Sequence, residues 1–278
     1  MKFTELVDKE YEHISERIVL PCSSPVRTNV SEFDENWLVI EGLHIFDGSV
    51  EEVCSSVLVA RDVVRKKNGE SEDFKRYDSI KYCEDNKMVL PSMDLLCNIV
   101  VALCDARKKL FVDVVLHHFK YPYESGYSLH NVNTLVYWNN EVGSVIHYPV
   151  DADFLSEGKR SKVNTSLNRR ETLFTVENFD NTLLTDVLQD ASNLFFIDYV
   201  RKLTGLFDPS RLISVGEYFQ KPVQVWVPNN VGQVQTMRLA WFSHNTSYLD
   251  IIGSYSFDAI TNAVRGVQFN NPSQTRNV

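Results

Sequence analysis

Runs of β-branched and aromatic residues alternate along this chain with segments whose apolar residues recur every three or four positions, and no internal repeat or low-complexity tract breaks the pattern. A period near two mixed with a period near 3.6 constrains the fold more than any other feature. It predicts an α+β chain, with strands paired largely through hairpins and helices packed outside. Strands are expected at 37–46, closed by a turn at Asp47-Gly48-Ser49, at 111–119, at 132–138 and, after a hairpin turn at 139–143, at 144–148. Two more are expected at 223–227 and 237–242, around a turn at Asn229-Asn230. The spacing predicts a helix at 51–66, with Val53, Val57, Leu58 and Val64 inward and Arg61, Arg65 and Lys66 outward, before a polar loop at 67–73. A second helix, capped by Ser92, carries Leu95, Leu96, Ile99, Val100 and Leu103. The longest, at 182–204, turns Leu184, Val187, Leu188, Leu194, Phe195, Ile197, Val200 and Leu203 inward and stops at Gly205 and Pro209.

Residues 2–18 read as a separate amphipathic helix. Phe3, Leu6, Val7, Tyr11, Ile14 and Ile18 fall on one face, while Glu5, Asp8, Lys9, Glu12, Glu16 and Arg17 take the remainder. Leu20-Pro21-Cys22-Ser23-Ser24-Pro25 then reads as a tether. The expected organisation is a projecting helix at 1–19, a linker at 20–31 and one α+β body at 32–278. A helix of this length is marginal alone, so its apolar stripe must dock on its own body or on another subunit.

The chain has 278 residues and a formal charge of −9 at pH 7, with a pI near 5.3. A DNA-binding protein would carry the opposite balance, so no DNA partner is expected. The five cysteines, Cys22, Cys54, Cys83, Cys97 and Cys104, are irregularly spaced and fit neither a zinc site nor a disulfide framework. Residues 1–19 are too charged for a signal peptide, and stretches such as 99–103 and 112–116 are too short to span a bilayer. A cytoplasmic protein with no membrane partner is expected. Asn29, Asn164 and Asn245 open Asn-x-Ser/Thr sequons, which without a secretory signal read as chance matches.

Phosphate-loop, dinucleotide, zincin, hydrolase-elbow and EF-hand patterns are missing from the sequence. His117, His118 and His130 are the only histidine concentration; adjacent histidines on a strand face opposite ways, so a structural role is the default and no metal site is expected. The stretch Leu129-His130-Asn131-Val132-Asn133-Thr134-Leu135-Val136-Tyr137, followed by a helix starting near Gln189, resembles the order of ubiquitin-like-specific cysteine peptidases. Their nucleophile sits at a helix N-terminus, where the dipole favours a thiolate. This chain offers Gln189, Asp190, Ala191, Ser192 and Asn193 there, with no cysteine after Cys104. A peptidase-like enzyme or its inactive relative is therefore the alternative, with His130 and Asp151 or Asp153 as the residues to mutate. The basic loop at 156–170, with Lys159, Arg160, Lys162, Arg169 and Arg170, is the candidate contact for an anion or nucleotide. A third possibility is a viral or host interaction module that uses the acidic surface or the N-terminal helix.

Twelve tyrosines and 14 lysines titrate near pH 10 when unperturbed, so the charge falls from −9 to about −35 above that range. A tyrosine held neutral by packing binds its proton more tightly than a released one, so alkali favours release.

In order along the chain, several segments resemble the cypovirus polyhedrins, which build insect-virus occlusion bodies. They are the stand-off N-terminal helix, the aromatic strand at 37–46 turning at Asp47-Gly48-Ser49-Val50, a helix ending near Arg65, and Asp73-Phe74-Lys75-Arg76-Tyr77-Asp78-Ser79-Ile80-Lys81-Tyr82. Further on come Glu141-Val142-Gly143-Ser144-Val145-Ile146-His147-Tyr148, the helix opening Asp186-Val187-Leu188-Gln189, Tyr248-Leu249-Asp250-Ile251 and Ser254-Tyr255. Residues 84–130 and the tail after Thr261 have no counterpart. The resemblance implies an antiparallel β-sandwich flanked by helices, with the N-terminal helix (Phe3, Leu6, Val7, Tyr11, Ile14 and Ile18) reaching into neighbouring copies. It implies a non-enzymatic structural protein, trimeric, packed into a cytoplasmic lattice that embeds virions and dissolves at alkaline pH. No cofactor would be required, though such lattices can trap nucleotides.

Overall fold

In the computed structural model, the described residues are 28–46, 51–63, 75–120, 128–138, 142–147, 170–175, 182–189, 194–226, 236–244, 247–255 and 264–269. In chain order they form β1 (Asn29–Glu32), β2 (Trp37–Phe46), β3 (Glu51–Ala60), α1 (Arg76–Asp85), α2 (Met93–Asp105), α3 (Leu110–Lys120), β4 (Ser128–Trp138), β5 (Val142–His147), β6 (Arg170–Thr175), β7 (Thr182–Leu183), α4 (Leu184–Gln189), α5 (Leu194–Thr204), α6 (Arg211–Phe219), β8 (Val223–Trp226), β9 (Thr236–His244), β10 (Leu249–Tyr255) and β11 (Val267–Phe269). The chain is thus α+β. One sheet has the order β1-β2-β3-β11, and the other β6-β5-β4-β9-β10-β8-β7.

α2 organises the core. Its sequence is apolar on every side, and such a helix must be covered all round. Every residue from Met93 to Cys104 is buried. It packs on β1 and β2 of the smaller sheet, on β4 and β9 of the larger one, and on α5 and α6. Leu38, Ile40, Val57 and Val59 share its core from the first sheet. Val132, Val136, Val145 and Phe242 join the same core from the second, and Val223 and Val225 follow the buried-exposed alternation of β8.

Several expectations hold. β2, the β4–β5 hairpin and the helix after Ser92 lie where the periods place them, although the Ser92 side chain makes no capping bond to the helix. Gly205 adopts a left-handed backbone (φ 61°) that ends α5. Others are corrected. Residues 51–60 form a strand, not a helix, paired antiparallel with β2 from Trp37↔Ala60 to Phe46↔Glu51. Val57 and Val59, two apart, are both fully buried, and the β-branched run fits a pleated partner better than a helix. Residues 111–119 form a helix, not a strand, because Val112, Val115, Leu116 and Phe119 bury one face at spacings of three, one and three.

The long helix at 182–204 is replaced by β7, α4 and α5. The buried face of α5 is Phe196, Tyr199, Val200 and Leu203, displaced from the expected stripe, so Leu194, Phe195 and Ile197 are half-buried. β8 and β9 do not pair: β10 lies between them, antiparallel to β9 and parallel to β8. Helices α1 and α6 were not expected. Inside α6, Gly216 makes the tight return to β8 possible, since a Cβ there would stand 2.6 Å from the Lys221 carbonyl oxygen. The end of the expected linker, residues 29–31, belongs to edge strand β1. The expected helix at 1–19 and the turns at 47–49 and 229–230 lie outside the described residues.

Candidate functional site

The polar exception to the core sits at the N-terminus of α2. Four residues there have almost no exposure: Ser92, Asp94, Thr134 and His147. Thr134 on β4 and His147 on β5 are cross-strand partners, which fixes their side chains next to each other. The first N–H groups of a helix have no partner within it. Met93 N–H donates to Thr134 Oγ1 at 2.8 Å, and Leu95 N–H donates to Asp94 Oδ1 at 2.8 Å. The Ser92 hydroxyl also donates to Asp94 Oδ1. An aspartate in the first turn is further favoured by the helix dipole.

His147 completes the cluster. Its Nε2 lies 2.8 Å from the Lys202 carbonyl oxygen, which can only accept, so Nε2 carries a proton. Its Nδ1 lies 2.8 Å from Thr134 Oγ1 and 3.4 Å from Asp94 Oδ1. In the neutral ring Nδ1 accepts from the threonine hydroxyl; in the protonated ring it donates toward the carboxylate. Nucleophile–base–acid catalysis needs the acid on one ring nitrogen and the nucleophile on the other. Here hydroxyl and carboxylate share Nδ1, Nε2 is bonded to main chain, and the group is sealed. This geometry ties α2, sheet two and α5 together.

Asn98, one turn along α2, extends the tie. Its Nδ2 donates to the carbonyl oxygens of Asp94 (2.9 Å), Gly205 (3.0 Å) and Thr204 (3.3 Å), thereby satisfying acceptors at the end of α5. Sequence reasoning did not single out Asp94, Asn98 or Thr134. The available signal was Asp94 and Asn98, four apart in a helix otherwise apolar all round, where each polar group needs a partner.

The expected site residues are dispersed. His130 is buried on β4, its ring 4.9 Å from Phe119 and 6.2 Å from Phe242, and the Arg265 guanidinium lies over the Phe119 ring at 4.4 Å. A base in that closed aromatic slot reaches a substrate only if the core opens. His117 is exposed on α3 rather than on a strand; the side chain of His118 lies outside the described residues. Arg170 opens edge strand β6 opposite His147. Lys159, Arg160, Lys162 and Arg169 lie outside the described residues, as do Asp151, Asp153, residues 190–193 and the helical stripe Phe3, Leu6, Val7, Tyr11, Ile14 and Ile18. Among the described residues no group of three or more His, Cys, Asp or Glu side chains could hold a metal, and no helix is long and apolar enough to cross a membrane.

Burial also changes the acid–base behaviour of the core. The thiols of Cys83 and Cys104 are pushed up to about 12 by desolvation, with Glu84 and Asp105 adding to the effect, and Cys97 is raised further. Thiols held protonated this way are poor nucleophiles. Desolvation raises Tyr199 as well, and Tyr218 is raised by burial and by its 2.6 Å hydrogen bond to Asp113.

Against known proteins, the chain matches no family model, no curated protein and no solved structure.

Proposed function

We propose that this chain is a structural, non-enzymatic protein that assembles with copies of itself into viral occlusion bodies in the cytoplasm of an infected cell. The lattice embeds virions by contact with their surface and releases them in alkali. The observation that carries this reading is the set of buried protons on Tyr199, Cys83, Cys97 and Cys104, held above their ordinary values by desolvation. Because the folded state binds these protons more tightly, its stability is complete below the ordinary values and is lost as pH rises toward the folded ones. A subunit that loses stability in alkali supports release there, and the growing negative charge of the surface adds to it.

In this reading the two sheets are the layers of the sandwich, with α2 packed on both of them in the core rather than flanking it as expected. The helix at 1–19 projects and links copies, with the trimer as building block. No cofactor is needed; a trapped nucleotide would meet Lys159, Arg160, Lys162, Arg169 and Arg170.

The test is expression in insect cells, followed by turbidity of any intracellular particles from about pH 7 to about pH 11.5. Crystals that persist at neutral pH and dissolve as tyrosine and lysine titrate are expected. A freely soluble protein with no alkaline transition overturns the proposal.

A further inference from the structure

α3 carries apolar residues on two sides. Val112, Val115, Leu116 and Phe119 are buried, which accounts for its packing on the core. Leu110 and Val114, one turn apart on the opposite side, are 82% and 50% exposed, and the exposed His117 continues that face. Single exposed apolar residues are ordinary; Phe207, for example, already has the Arg201 guanidinium over its ring at 5.3 Å. Two in line on one helix form a strip that a second amphipathic helix can cover.

We propose that this strip seats residues 2–18 of the same chain. Position favours it. Lys109, immediately before α3, donates through Nζ to the Val30 carbonyl oxygen on β1, so α3 begins beside the strand that the N-terminal segment leads into. Reach also favours it: nine connecting residues, 19–27, extend up to about 30 Å. α3, with 11 residues, is only about 16 Å long.

Charge points the same way. Arg107, Lys108 and Lys109 are exposed next to Leu110, while the segment carries Glu5, Asp8, Glu10, Glu12 and Glu16 against Lys2, Lys9 and Arg17. Its residues Val7, Tyr11, Ile14 and Ile18 have the spacing of a continuous helical stripe. A short tether keeps the segment at an effective concentration in the millimolar range, which favours its own strip over that of a free second copy in dilute solution. On assembly the segment can exchange onto the identical strip of a neighbour, as in domain swapping. Docking within the chain does not depend on that exchange, so it stands or falls separately from the occlusion-body proposal.

Amide hydrogen exchange on the dilute full-length chain tests the seat. The expected result is protection of residues 2–18 that drops about tenfold or more in the double variant Leu110→Asp/Val114→Asp, while α2 keeps its protection. Three outcomes overturn the proposal: an unprotected segment in the wild type, protection that survives the double variant, or protection that grows with protein concentration. Should the double variant disturb α2 as well, zero-length carbodiimide cross-linking of the wild type decides. A bond within one chain between Lys108 or Lys109 and a carboxylate of residues 2–18 is expected, and its absence overturns the seat.

Discussion

α2 hides two polar side chains, Asp94 and Asn98, inside the core, whereas α3, which follows after residues 106–109, shows Leu110 and Val114 to solvent. The two helices break the inside-outside rule in opposite senses. In α2 each exception is answered within the fold: Asp94 accepts from Ser92 and Leu95, and Asn98 donates to three carbonyl oxygens. A buried polar group with partners costs little, and one that loses them costs its full desolvation. In α3 the described residues do not answer the exception. The difference separates an exception that the fold answers internally from one that stays on the surface.

The strongest way to break this comparison is to damage the buried side of α3 itself. Phe119 is fully buried against the His130 and Phe242 rings and under the Arg265 guanidinium. Phe119→Ala is expected to destabilise the protein by about 4 kcal/mol through the cavity and the lost ring face under a buried cation. Urea denaturation measures this; a loss below about 1 kcal/mol would mean that the slot collapses or is not closed.

Next in size is the polar exception of α2. Asp94→Ala removes the acceptor for one hydroxyl and one helix N–H and leaves both buried beside His147. A cost of about 3 kcal/mol is expected. An Asp94→Ala protein as stable as wild type would make the carboxylate dispensable and reopen the cluster to a role other than holding α2.

How far these features were legible follows from where their information lies. β2, α2 and the β4–β5 hairpin could be read because each carries its period or turn locally. The segments 51–60 and 111–119 were exchanged because both are rich in valine, and composition alone does not separate a strand from a helix. What separates them is what each packs on: residues 51–60 pair along their length with β2, whereas Val112, Val115, Leu116 and Phe119 bury one side of a helix. The parallel pairing of β8 with β10 could not be read, since β9 intervenes in sequence and pairs with β4 and β10 rather than with β8. The polar cluster was hidden for a similar reason. Ser92, Asp94, Thr134, His147 and the Lys202 carbonyl come from four separate elements and their flanks, and only the folded topology joins them.

A smaller effect separates the core from the surface by pH. Tyr199 on α5, fully buried, donates its hydroxyl to the Trp226 carbonyl oxygen at 3.2 Å, and burial holds it protonated well above the usual tyrosine range. Tyr199→Phe is expected to cost about 1 kcal/mol at neutral pH through that bond. The wild type loses stability from the ordinary thiol value of 9.0 upward as the pH climbs toward the folded thiol values near 12. Tyrosine adds its share from about pH 10, and the variant lacks that share, so its decline with pH is shallower there. Urea midpoints on both sides of pH 10 measure the slopes; parallel slopes would remove Tyr199 from the alkaline account.

The smallest expected effect is the sharpest test of the comparison. Leu96 in α2 and Leu110 in α3 are the same residue type on neighbouring helices, 1% and 82% exposed. Leu96→Ala opens a cavity that α2's neighbours cannot fill from every side at once, and a loss of about 3 kcal/mol is expected. Leu110→Ala opens none and should change global stability by no more than about 0.5 kcal/mol. With residues 2–18 seated as proposed, its effect falls on the equilibrium between a covered and an uncovered strip, which global unfolding hardly reports. The informative result is therefore a Leu110→Ala protein whose urea midpoint is unchanged while its N-terminal amides exchange faster. A fall in midpoint as large as that of Leu96→Ala would place Leu110 in the core and erase the distinction between the two helices.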